Sequence, residues 1–163
     1  MDTLVVNEQL ENLSLVAERL RVSTDELHDK FRQIEESINK MGLGVTAWAD
    51  TLIGVNKNQN SAYKVGYCRI GRGKNKVWGF CLRSVTIDND GNECPDQRNG
   101  YGLLLPISNI TRALRVEASE VIDEIIMHLI SKAELFLNDV KYAHQNLDDI
   151  DISRGINTQC QKS

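Results

Sequence analysis

The side chains able to do chemistry in this chain are four cysteines, at 68, 81, 94 and 160, and three histidines, at 28, 128 and 144. Metal binding or nucleophilic catalysis would call for them at short, recurrent spacings, such as two cysteines three positions apart or two histidines one helical turn apart. The sequence holds no CxxC, HExxH or GxSxG, so it nominates no catalytic residue, no metal ligands and no cofactor. Two loops come closer to a motif. In GYCRIGRG, Gly66 and Gly71 have the separation of a phosphate-binding loop, but Arg72 and Gly73 follow where Lys and Ser or Thr are required. In TIDNDGNECPDQ, Asp88, Asp90 and Gly91 fit the middle of a calcium loop, yet Thr86 and Gln97 stand where its first carboxylate and its bidentate glutamate belong. Asp90-Gly91 reads instead as a turn.

Charge is the stronger signal. Between Thr51 and Thr86 lie Lys57, Lys64, Arg69, Arg72, Lys74, Lys76 and Arg83 and no acid, so this segment is +7 and leaves −11 for the rest of a chain whose net charge is −4. Such polarity implies a surface with two signs. The basic residues gather on GYCRIGRGKNKVWGFCLRSV, residues 66–85. Arg69, Arg72, Lys74, Lys76 and Arg83 are its candidate binding residues. Three readings fit: a ribbon touching nucleic acid, a lysine- and arginine-protected sheet edge, or a basic surface docking on the acidic helix of a neighbouring subunit, the helix that bears Glu117, Glu120, Asp123, Glu124, Glu134 and Asp139.

These side chains need elements to hold them. Val6, Leu10, Leu13, Ala17, Leu20, Thr24, Leu27, Phe31, Ile34, Ile38 and Met41 alternate at spacings of four and three, a heptad seam over five repeats. The pattern predicts a helix over 4–41 stopped at Gly42. At 1.5 Å per residue, positions 6–41 span about 54 Å, more than a small sheet can cover, so Leu10, Leu13, Leu20, Leu27, Phe31, Ile34 and Ile38 are the candidate oligomer seam.

Residues 43–107 turn to β-branched and aromatic runs separated by NKNQN, RGKN and NDGNECPDQRNG, which predicts an antiparallel meander of three or four strands. With an even hairpin loop centred on Lys74-Asn75, Cys68 faces Cys81, Arg69 faces Phe80 and Tyr67 faces Leu82. Val65, Tyr67, Trp78, Phe80 and Leu82 then share a core face, and Gly66, Cys68, Ile70, Gly79, Cys81 and Arg83 share the other. The two cysteines read as small packed residues rather than a redox pair. A second helix is predicted over 109–147, capped by Ser108 or Asn109, followed by a flexible tail at 151–163. The whole is α+β, one domain over 1–150.

Residues 15–31, LVAERLRVSTDELHDKF, place Ala17, Leu20, Val22 and Leu27 at apolar positions and Ser23 with Glu26 as a capping box. This stretch resembles a helix-turn-helix, and the resemblance implies DNA binding through residues 15–34. Arg21 takes the place of the turn glycine and Lys30 that of an apolar residue, and STDELHDKFRQIEES is net acidic, which suits phosphate poorly. The heptad also continues through the supposed turn without a change of phase.

An acid at position 2 and no basic leading segment argue against a secretion signal. No apolar run reaches the roughly 20 residues that span a bilayer. Sparse cysteines suit reduced thiols. The expectation is a cytoplasmic, non-enzymatic protein that self-associates through its helices and presents the basic hairpin. Its partners would be protein, with nucleic acid as the alternative and no membrane.

Overall fold

The computed structural model describes residues 3–71, 74–94 and 104–159. Helix α1 (Thr3–Met41) leads into strands β1 (Ala47–Asn56), β2 (Ser61–Ile70), β3 (Val77–Thr86) and β4 (Leu105–Pro106), followed by helices α2 (Arg112–Glu120) and α3 (Ile122–Gln159). The strands form one antiparallel sheet in sequence order, so the fold is α+β with a meander, as the patterning predicts. No helix among the described residues is long and apolar enough to cross a membrane.

One face of the sheet carries the core. Ala47, Ala49, Ile53, Val65, Tyr67, Phe80 and Leu82 bury against Phe31 and Ile38 of α1, Ala118 of α2, and Ile122, Ile125 and Leu129 of α3. The hairpin faces divide as the sequence implies, but the register differs. Tyr67 pairs with Phe80, Cys68 with Gly79 and Gly66 with Cys81. Ile70 pairs with Val77, so residues 71–76 form the connection and its centre falls one residue earlier than Lys74-Asn75. Each partner therefore shifts by two residues, which preserves the faces because side chains alternate with period two.

Strand β1 departs from ideal pairing twice, between Trp48 and Leu52 and between Ile53 and Asn56, with Gly54 at φ +57° in the second irregularity. Bulges leave main-chain N–H groups without ladder partners. Glutamates from the helices take them: Glu124 accepts from the N–H of Asp50 and of Thr51, and Glu117 accepts from the N–H of Gly54 at 2.7 Å. Seven residues apart, these two acids reach the same strand.

The second helical region is not the single helix over 109–147 that the sequence suggests. Its cap is Thr111, whose Oγ1 accepts from Leu114 N at 3.3 Å, while Ser108 and Asn109 lie in a preceding 3₁₀ turn. Val121 (φ −108°, ψ 4°) interrupts the helix and donates its N–H to Ala118 O. Ala118, Val121 and Ile122 are all buried, so the joint sits on the sheet. Past Leu147, where the apolar spacing fails, α3 keeps helical geometry to Gln159. The region assigned to a tail is therefore helical through that residue, because intrahelical hydrogen bonds do not require an apolar face.

Candidate functional site

The long helices use their apolar seams unevenly. In α1, Leu27, Phe31, Ile34 and Ile38 join the core, and the Phe31 ring meets Phe80 edge-on at 5.9 Å. Nearer the N-terminus the same seam lies open: Leu10, Leu13 and Leu20 are 57, 63 and 52% exposed, and Leu15, Val16 and Val22 add apolar surface beside it. The helix is continuous through Arg21, Val22 and Ser23. A helix-turn-helix needs a turn there, so residues 15–34 do not form one. Arg21 instead pairs along the helix with Glu18 at 2.7 Å. In α3, Ile125 and Leu129 are buried, whereas Leu135, Phe136, Leu137, Val140 and Leu147 are exposed. Each helix thus has a docked half and an uncovered arm.

The basic hairpin is partly neutralised. On the face away from the core, Lys64 Nζ lies 2.7 Å from Glu93 Oε2 and Arg83 Nη2 lies 3.0 Å from Glu93 Oε1. The Arg83 guanidinium also sits 4.7 Å above the Trp48 ring, and that ring covers Gly66, where an added Cβ would meet it at 2.3 Å. Arg83 is therefore tied into the sheet. Arg69, Lys74 and Lys76 are exposed near the turn, and Arg72 lies outside the described residues. Cys68 and Cys81 are buried diagonal neighbours with sulfurs 2.8 Å apart. Their mutual hydrogen bond pushes the Cys81 thiol up, with burial adding to it, and lowers that of Cys68.

The free edge of β3 is closed by α1. Beyond its pairing with β4 at Cys81 and Leu82, Phe80 donates its N–H to Glu35 Oε1 at 2.6 Å and Trp78 O accepts from Asn39 Nδ2 at 3.2 Å. Residues 35 and 39 are one helical turn apart, so two side chains of α1 stand in for a neighbouring strand. Tyr67 donates its hydroxyl to Asn39 Oδ1 at 2.7 Å. Burial, with the charge of Glu35 second, pushes that phenol up to about 12. A cleft of about 300 Å³ opens beside this edge, lined by His28, Phe31, Glu35, Ile70, Trp78 and Ile107 among others. Burial raises the Glu35 carboxyl, outweighing the Phe80 hydrogen bond and the nearby His28, and His28 Nδ1 is buried without a hydrogen-bond partner among the described residues.

A second group assembles on the opposite edge, where α3 meets β1. His128 Nδ1 lies 2.8 Å from Trp48 O, its Nε2 lies 3.6 Å from Asp50 Oδ2, and Glu124 sits one helical turn before it. Against the penalty of burial, the hydrogen bonds from Asp50 and Thr51 lower the Glu124 carboxyl. The absence of a histidine or cysteine motif left this group without a nomination from the sequence. The spacing of four between Glu124 and His128 puts both on one face of a helix and was a legible signal. Asp50, 74 positions from Glu124, was not. Of the six acids expected to form a docking surface, Glu117 and Glu124 turn inward to β1, while Glu120, Asp123, Glu134 and Asp139 remain exposed.

Comparison with protein families, curated proteins and solved structures gives no match to this chain.

Proposed function

We propose that the protein is a non-enzymatic assembly module that pairs with a second copy of itself through its uncovered helical arms. The observation that carries this reading is the division of one heptad seam: covered from Leu27 to Ile38, open from Leu10 to Leu20. Fully burying a leucine is worth about 1.5–3 kcal/mol. Because Leu10, Leu13 and Leu20 are each little more than half exposed, burying what remains in two chains would contribute roughly 5–10 kcal/mol. Association costs about 4–15 kcal/mol in lost freedom, so the arm carries apolar surface on the scale that pairing requires. Light scattering at tens of micromolar should give a mass above the 18.4 kDa of one chain, and Leu13→Asp with Leu20→Asp should return it to that mass. A wild-type protein that stays at 18.4 kDa, or a double variant that keeps the larger mass, overturns the reading.

Arg69, Lys74 and Lys76, exposed at the hairpin while Glu93 neutralises Lys64 and Arg83, support a second contact surface for a polyanion such as nucleic acid. Binding to a labelled oligonucleotide would then weaken steeply with salt, as counterion release requires. Replacing the three residues with serine should abolish it. Equal binding by both proteins, or none by either at low salt, removes the hairpin from the account.

A further inference from the structure

We propose that Asp50, Glu124 and His128 bind one divalent first-row transition metal ion, with Zn²⁺ as the fitting case. Each residue offers a ligand atom, and these atoms lie within 4.8 Å of one another. The orientation of His128 supplies the independent argument. A main-chain carbonyl can only accept a hydrogen bond, so the contact with Trp48 O places the proton on Nδ1. The other ring nitrogen, Nε2, faces Asp50 Oδ2 at 3.6 Å. A nitrogen and a carboxylate oxygen at that separation leave room for a cation between them, whether a proton on Nε2 or a metal ion. Metal-binding imidazoles are commonly held by this second-nitrogen bond to a backbone carbonyl, which fixes both tautomer and ring angle.

The spacing suits such an ion. With bonds of about 2.1 Å, neighbouring ligands on a tetrahedral centre are roughly 3.4 Å apart, close to the separation of Nε2 and Oδ2. Glu124 is held by the N–H groups of Asp50 and Thr51, chiefly through Oε1, which fixes the carboxylate next to the pair. The Asp50 side chain is 81% exposed, so water can reach the ion and complete its shell. An imidazole nitrogen beside two carboxylates favours a borderline transition ion over calcium or magnesium, which prefer oxygen alone.

The site is separate from the helical arms, so its test is independent of self-association. Full-length protein stripped with chelator should bind one equivalent of Zn²⁺ by titration calorimetry. Asp50→Asn and His128→Asn should each weaken that binding at least tenfold. Both variants keep an amide in place of the ligand group, and the asparagine at 128 retains an N–H for Trp48 O. Co²⁺ should give d–d absorption without the strong thiolate charge-transfer band that binding to cysteine would produce. If His128→Asn does not fold, Asp50→Asn, at an exposed side chain, decides alone. The proposal is overturned if Zn²⁺ does not bind at micromolar concentrations. It is equally overturned if binding is unchanged in the variants or the Co²⁺ spectrum is that of a thiolate site.

Discussion

From Leu27 to Ile38 the apolar seam of α1 lies on the sheet, and from Leu10 to Leu20 the same repeat faces solvent. The two halves have the same helical geometry and similar side chains, and they differ in what stands opposite them. Strands of ten residues extend about 33 Å, whereas the 39 residues of α1 extend about 58 Å. A sheet of that size can cover only part of such a helix. The comparison shows that a heptad pattern identifies an apolar face without saying whether the chain's own sheet or another molecule covers it. The polar residues of α1 follow the same division. Glu35 and Asn39 in the docked half close the β3 edge, while among the described residues Glu18, Arg21 and Asp25 in the arm pair only along their own helix.

That contrast can be broken by substitution. Phe31→Ala removes a ring that is 2% exposed and packed on Phe80. It should cost about 3–5 kcal/mol in denaturant unfolding. A smaller effect tests the polar side of the docked half. Because the folded-state Glu35 carboxyl is raised, its contribution to stability is fully present below the ordinary value of 4.5 and is lost as pH rises through the folded value. The stability of wild type relative to Glu35→Gln should therefore fall between acid and neutral pH, measured by urea unfolding across that range; a constant difference would contradict it. The smallest change in chain stability belongs to the arm. Leu20→Ala, measured on protein dilute enough to be monomeric, should stay within about 0.5 kcal/mol of wild type. Comparable losses for Phe31→Ala and Leu20→Ala would show that the arm is covered within the chain.

The α+β class, the extent of α1, the strand composition and the two hairpin faces were readable because each rests on local periodicity. The hairpin register was not readable, and the pairing that follows from an even loop centred on Lys74-Asn75 lies two residues from the observed one, since alternation fixes the face of a side chain but not its partner. Arg83 was counted as an available cation because nothing local ties it to Glu93 or Trp48. The joint at Val121 was missed because the apolar spacing passes through it unchanged, although one residue leaves helical geometry.

The sequence by itself determined the apolar faces, the acid-free hairpin and the i, i+4 placement of Glu124 and His128, because neighbours along a helix or strand are fixed by backbone geometry. Only the tertiary structure decided which half of α1 is covered, which acids turn to the bulges of β1, and that Asp50 stands against His128. Those outcomes depend on contacts between residues distant in the chain, where the extent of the sheet and the irregular path of β1 choose the partners.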